Sequence, residues 1–252
     1  VVDGGYVYIN VYFKAFNGSE TVVDTSYTII CDIPSNSSTN PSMSFTIEDS
    51  EGYATTFGGY VKNRSKPKIK VSASFKYGAN LSKCEVTVDG KVYSGLEVIA
   101  NSFATTGSKT ISVKVIDTRG NFTTSTATIN VIEFAPPKLS DFKIYRSNSS
   151  GTVDDEGSYI CITFSSEISP LGNKNSAVYQ IRYKDSTYTG GYTVVNLDNY
   201  DNVYSITNGK HILSVSPTIS IDVILIARDR FSEVQLKGVG AAVSKVISIR
   251  HG

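Results

Sequence analysis

The chain has 252 residues, long enough for two modest domains with real cores and too long for a peptide-sized scaffold held by disulfides. With 40% hydrophobic and 19% charged residues, a formal net charge of +1 and a mean hydropathy of −0.09, it reads as globular rather than disordered, and its charge balance argues for neither a nucleic-acid nor a membrane partner. Two His, one Met and no Trp put catalytic and metal chemistry at a disadvantage, and no apolar run reaches bilayer-spanning length. The opening Val1-Val2-Asp3-Gly4 has neither an initiator Met nor a signal segment, so the expectation is that the numbered chain is a piece of a larger polypeptide.

The dominant signal along the chain is alternation with a period of two, which predicts strands. Over residues 6–14, Val7, Ile9, Val11 and Phe13 form one apolar face while Asn10 and Lys14 fall on the other. A turn at Phe16-Asn17-Gly18-Ser19 and a second extended run ending in Tyr27-Thr28-Ile29-Ile30-Cys31 complete a hairpin. Residues 34–41 hold no apolar side chain between Pro34 and Pro41 and predict a linker. Residues 1–40 therefore read as the closing strands of a truncated β domain plus linker, poorly packed unless they borrow a neighbour.

Residues 41–134 predict a sandwich. Strands are expected at Ser44–Ile47, at Pro67–Phe75 with Ile69, Val71, Ala73 and Phe75 on one face, at Cys84–Val88, after the Asp89-Gly90 turn, at Thr110–Ile116 and at Thr124–Ile132. Ala135-Pro136-Pro137 marks a boundary, because two prolines hold a short, stiff, extended connection. Residues 135–252 repeat the scheme, with strands expected at 141–145, 159–164, 177–183, 192–197, 211–215, 221–227 and 243–249. In both units an apolar strand runs into an Asp/Arg turn, Asp117-Thr118-Arg119-Gly120 in one and Arg228-Asp229-Arg230 in the other. No segment sustains helical periodicity. The predicted fold class is all-β, with tandem immunoglobulin-like or fibronectin-III-like β-sandwiches.

Cys31, Cys84 and Cys161 fit no zinc or redox spacing and are expected as buried thiols; Cys84 shares its parity with Val86 and Val88. Asp154-Asp155-Glu156-Gly157 could supply hard oxygen ligands to Ca²⁺, but the string lacks the alternating pattern of a calcium loop and is better described as a solvated turn. The same two readings apply to Asp198, Asp201 and Asn202. Lys62, Arg64, Lys66, Lys68 and Lys70 share even positions, a stripe that could attract teichoic acid or simply keep a sheet face soluble. Among sixteen tyrosines, the best carbohydrate candidate is residues 182–192, a hairpin tip with Arg182, Tyr183, Lys184, Tyr188 and Tyr192. His211 and His251 have no triad partner in the sequence, and no constellation for hydrolysis is found. The sequons at Asn17, Asn36, Asn63, Asn80, Asn121 and Asn148 are what a chain rich in Asn, Ser and Thr contains by composition.

Several stretches resemble the siphovirus minor structural proteins of tailed phages that infect Gram-positive bacteria. They are residues 57–66, 87–93, 115–120, Ala135-Pro136-Pro137-Lys138-Leu139-Ser140 and, most distinctively, the string from Arg146 through Ser150-Gly151-Thr152 and Asp154-Asp155-Glu156-Gly157 to Tyr159, with Asn173-Lys174-Asn175. The resemblance covers about residue 40 to the C-terminus. It implies a virion tail component near the host-recognition end, without enzymatic activity and without a catalytic motif to carry over. Its implied partners are other tail proteins and, through any adhesive role, host cell-wall polysaccharide or teichoic acid. The alternatives are a bacterial surface adhesin or carbohydrate-binding module, placed outside the cell, and an accessory domain of a cell-wall hydrolase. Self-association as a homo-oligomer stays open, since no heptad or Gly-x-y repeat demands it.

Overall fold

The computed structural model describes residues 2–3 and 6–243, and these are almost wholly antiparallel strands. Two compact units divide the chain, residues 1–132 and 133–252.

The first unit opens with β1 (Val2–Asp3), β2 (Tyr6–Asn17) and β3 (Glu20–Asp32) in a three-stranded sheet of that order. β1 adds only two residue pairs, whereas β2 and β3 form a long hairpin. Its register sets Val7 opposite Cys31, Ile9 opposite Ile29, Val11 opposite Tyr27 and Ala15 opposite Val23, so these apolar residues share one face while Ile30, opposite Tyr8, falls on the other. Yet neither strand buries a side chain; only Val7 and Val11 are even half-buried. One expectation fails here: Cys31 is an exposed free thiol, while Cys84, at the parity of Val86 and Val88, and Cys161 are buried as expected. Cys31 sits on the apolar side of its strand, but among the described residues nothing buries that side.

Residues 34–40, expected as a plain linker, are a hydrogen-bonded turn. The Asn36 carbonyl accepts the Thr39 and Asn40 N–H groups at 3.1 and 2.8 Å, and the buried Thr39 hydroxyl donates to the Pro34 carbonyl.

The sandwich of this unit comprises β4 (Ser42–Asp49), the short helix α1 (Tyr53–Phe57), β5 (Tyr60–Val61), β6 (Pro67–Ser74), β7 (Leu81–Val88), β8 (Lys91–Ser94), β9 (Glu97–Ile99), β10 (Gly107–Asp117) and β11 (Phe122–Ile132). One sheet runs β4-β6-β9, the other β5-β11-β10-β7-β8. Alternate residues of each face inward: Ile69 from β6, Val98 from β9, Cys84, Val86 and Val88 from β7, and Ile111, Val113 and Val115 from β10. α1, unforeseen in the sequence, is a single turn, and β5 is a two-residue strand parallel to the end of β11.

The second unit comprises β12 (Lys138–Ser147), β13 (Tyr159–Glu167), β14 (Val178–Asp185), β15 (Thr193–Asn196), a 3₁₀ turn at Asp198–Tyr200, β16 (Ser205–Ser214), β17 (Ile221–Arg228) and β18 (Glu233–Gly240). Sheets β12-β13-β16 and β15-β14-β17-β18 enclose a core that includes Ile160, Ile162, Phe164, Tyr179, Ile181, Val223 and Leu225. The Pro-Pro segment is tied to this unit, because the Ala135 N–H donates to Ser169 Oγ at 2.8 Å and that hydroxyl donates back to the Ala135 carbonyl at 3.0 Å.

β18 was not expected from the sequence, and of the strand expected at 243–249 all but Val243 lies outside the described residues. The glycines that blur the strand pattern of β18 have a packing reason. A Cβ on Gly238 would fall 2.8 Å from Ile144, and one on Gly240 would fall 2.4 Å from Ile160, so their absence lets β12 and β18 close that side of the sandwich.

Candidate functional site

The best-formed surface constellation is at the β14–β15 hairpin. Strand parity decides its membership: Ile181 is buried and Tyr183 packs on the core, whereas Arg182 and Lys184 belong to the opposite face of the sheet. Tyr183 is thereby removed from the expected binding group. The Lys184 ammonium donates to the Tyr188 carbonyl at 3.0 Å and stands 5.1 Å over the Tyr192 ring. Both rings reach solvent, Tyr188 at 58% and Tyr192 at 38% exposure. The Tyr188 ring also lies against Gly190, where a Cβ would fall 2.3 Å from it. Asp185 accepts the Thr187 N–H and hydroxyl, each at 2.8 Å, and these bonds hold its carboxyl below the usual carboxylate range. Arg182 sits two residues back along β14, within 3.4 Å of Gln180 Oε1. Lys184, Tyr188 and Tyr192 thus form one cluster of a cation and two phenol rings, suited to stacking on a sugar face or holding an anion.

The acidic string is built differently. Asp154 Oδ1 accepts the Glu156 N–H at 3.2 Å, the Asp154 N–H donates to the Arg146 carbonyl at 3.1 Å, and the Gly157 N–H donates to the Asp154 carbonyl at 2.9 Å. These bonds define a turn folded back onto β12. Asp155 and Glu156 line a groove of about 440 Å³ shared with Arg146, and among the described residues no group of three or more His, Cys, Asp or Glu is gathered to hold a metal. Asp198, Asp201 and Asn202 lie in and just after the 3₁₀ turn, where the Asn202 N–H donates to the Ala177 carbonyl at 2.8 Å.

The basic stripe is neutralised along β6. Lys66 pairs with Glu51 at 3.1 Å, Lys68 with Glu97 at 2.5 Å and Lys70 with Glu48 at 3.4 Å. Lys62 and Arg64 precede the strand and do not extend its face. The carboxylates come from β4, β9 and the turn after β4, so neighbouring segments supply what the lone lysine strand lacks.

Interior polar groups hold turns and strand ends. Asp117 Oδ1 accepts the Arg119 and Asn121 N–H groups at 2.9 and 3.0 Å, fixing the β10–β11 corner. Asp229 Oδ1 repeats the device in the second unit, accepting the Phe231 and Ser232 N–H groups at 2.8 and 2.7 Å. Buried Asn175 donates to the Ser169 carbonyl at 2.7 Å and accepts the Ser176 N–H at 3.0 Å. Arg146, missed as a structural element, directs its guanidinium at the carbonyls of Ala241, Val215 and Ile219, at 2.7, 3.3 and 2.5 Å. Its signal was present in the sequence as a charge at the parity of Phe142 and Ile144. His211, half-buried on β16, has its imidazole pushed toward the neutral form by burial.

Many tyrosines are architectural as well. Tyr179 is fully buried and donates to the Val203 carbonyl at 2.9 Å; its ring neighbours Phe164 and Tyr200 with centroids 6.1 and 6.3 Å away. One open cleft, about 580 Å³, lies between the β4 edge and β11 and is lined by Met43, Phe45, Ile47, Ala127 and Ile129 with Ser and Thr hydroxyls. Among the described residues no helix is long and apolar enough to cross a membrane.

The strand orders define the class: an all-β protein of tandem fibronectin-III-like and immunoglobulin-like sandwiches. No protein-family model matches the chain, and no curated protein does. Similar solved structures include a two-domain fibronectin type-III segment of chicken tenascin, with 13% identity over 79% of this chain and 98% of that one and a TM-score of 0.28. The fibronectin(III)-like modules of Clostridium thermocellum CbhA show 13% identity over 82% of this chain and all of that one, at 0.29. A Ca²⁺-stabilised adhesin with which an Antarctic bacterium binds ice shows 11% identity over 93% of this chain and 55% of that one, at 0.41. At such scores the fold rests on the strands themselves.

Proposed function

We propose that this chain is a non-enzymatic structural module of a phage tail, in which consecutive sandwiches act as stiff spacers and one hairpin end touches the host surface. What carries the reading is the use of the interior polar groups: Asp117, Asp229, Asn175 and Arg146 all bind backbone of their own unit, which is the chemistry of a scaffold. The tail setting rests on the sequence resemblance, whose most distinctive string forms the 146–159 turn. The adhesive element is the cluster of Lys184, Tyr188 and Tyr192, two exposed rings with one ammonium that stands over the Tyr192 ring and donates to the Tyr188 carbonyl.

A second reading, favoured by that same cluster, is a bacterial surface adhesin or carbohydrate-binding module. Binding of the purified chain to Gram-positive cell walls, with and without wall teichoic acid, tests the adhesive element. Retention of the native chain and its loss in Tyr188→Ala/Tyr192→Ala are expected; equal retention of native and variant chains would reject the cluster, and no retention would reduce the protein to a spacer. Immunogold labelling of virions produced from the parent genome, or of the cell surface, separates the two settings.

A further inference from the structure

The β2–β3 hairpin carries the pattern of a sandwich sheet, and among the described residues no second sheet covers it. On one face stand Val7, Ile9, Val11, Phe13 and Ala15 of β2 with Val23, Tyr27, Ile29 and Cys31 of β3, and the only polar member is Thr25, opposite Phe13. The other face is mixed: Tyr6, Tyr8, Tyr12, Phe16 and Ile30 stand among Asn10, Ser26, Thr28, Asp32 and the Lys14–Asp24 ion pair at 3.1 Å. That division is the inward–outward code of a half-buried sheet. Phe13 is nevertheless 51% exposed, Tyr27 63%, Ile9 47% and Ile29 49%. A two-stranded hairpin with nothing on its apolar face is only marginally stable in water, and a contiguous patch of this kind marks an interaction surface.

We infer that this face is covered by the same face of a second copy of the chain, the two hairpins packing as the two sheets of an intermolecular sandwich. Area supports the pairing. Nine apolar side chains offer on the order of 600 Å² per copy, so two apposed faces remove on the order of 1,200 Å² from water, where stable specific interfaces begin. Chemistry supports it too: the face holds no charge, so apposing it to itself about a two-fold axis buries no unpaired ion, and a single polar residue gives a partner of different chemistry little to recognise. The stacked sheets would lie about 10 Å apart, with Phe13, Tyr27, Ile9 and Ile29 interdigitating.

Sedimentation equilibrium of the full chain from 1 to 200 µM, read beside the reaction of Cys31 with a thiol reagent, tests this. A mass of two chains is expected at high concentration, with Cys31 slow to react when concentrated and fast when dilute. Ile9→Asp/Ile29→Asp should weaken dimerisation by at least about a hundredfold and restore Cys31 reactivity. Tyr12→Asp, on the opposite face, should change neither. A mass of one chain or of three, Cys31 reactivity independent of concentration, or a dimer indifferent to Ile9→Asp/Ile29→Asp would overturn the pairing. Should Ile9→Asp/Ile29→Asp merely unfold the hairpin, the concentration dependence of Cys31 in the native chain still decides.

Discussion

The Arg119 guanidinium donates to the Asp117 carboxylate at 2.9 Å with both side chains withdrawn from water, at 2% and 1% exposure. The same guanidinium nitrogen donates to the Lys76 carbonyl at 3.0 Å and the Thr39 carbonyl at 3.4 Å, so one side chain joins the β10–β11 corner to the turn that precedes β4. Removing one partner leaves a buried charge alone. Arg119→Ala should therefore destabilise the first unit by about 3–5 kcal/mol. Arg119→Lys should recover little of it, because an ammonium cannot reproduce the planar fork. Urea denaturation followed by circular dichroism measures both; a loss below about 1 kcal/mol for Arg119→Ala would show the pair to be dispensable.

Gly157 is a steric requirement. A Cβ there would lie 2.1 Å from the Ser147 carbonyl oxygen, a contact with backbone that no rotamer relieves. Gly157→Ala should lower the stability of the second unit by about 2–4 kcal/mol, within the range of strained or overpacked substitutions. Gly191→Ala, with nothing within 4 Å of its Cβ, should fall within about 0.5 kcal/mol of the native chain. Thermal unfolding of the two variants side by side reads the difference.

His211 gives the second unit a pH dependence of fixed sign. Burial lowers its pKa below the ordinary 6.5, so the unfolded chain takes up the proton first. The contribution of the neutral imidazole is complete above about 6.5 and declines as the pH falls below it. Native protein should lose denaturant resistance on acidification through this window, and His211→Gln should flatten that part of the profile. A profile identical in the two proteins would refute the assignment.

Neutralising the carboxylates around β6 should expose its lysines. Glu48→Gln/Glu51→Gln/Glu97→Gln removes three negative charges, raising the net charge by three, while leaving Lys66, Lys68 and Lys70 in place. On an immobilised polyanion the native chain should elute at low salt and this variant distinctly later. Unchanged retention would mean that the pairs do not mask the stripe.

The strands were legible because each unit buries one face of each sheet, and that requirement writes a period of two into residues such as Ile69, Val71, Ala73 and Phe75 or Cys84, Val86 and Val88. What escaped was set by contacts between distant segments. β18 was obscured by Gly238 and Gly240, whose smallness answers to Ile144 and Ile160 on other strands. Cys31 is exposed although it lies on the apolar side of its strand, because alternation shows which side of a strand is apolar without showing what lies against it. At the candidate site, the pairing of Lys184 with Tyr192 was legible as proximity along a hairpin, while the inward placement of Tyr183 needed the strand register. Charge stripes mislead for a related reason: the partners Glu48 and Glu97 of β6 come from strands distant in the chain.

Because the chain has no Trp, its ultraviolet spectrum is a tyrosine spectrum, and burial sorts those tyrosines by unit. Tyr60, in the core of the first unit with the negative charges of Asp49 and Glu48 nearby, has its hydroxyl pushed up to about 12. Tyr179, enclosed in the second, is also raised. Alkaline difference absorbance consequently offers a label-free optical readout in which surface phenols ionise first and each enclosed ring signals the opening of its own unit.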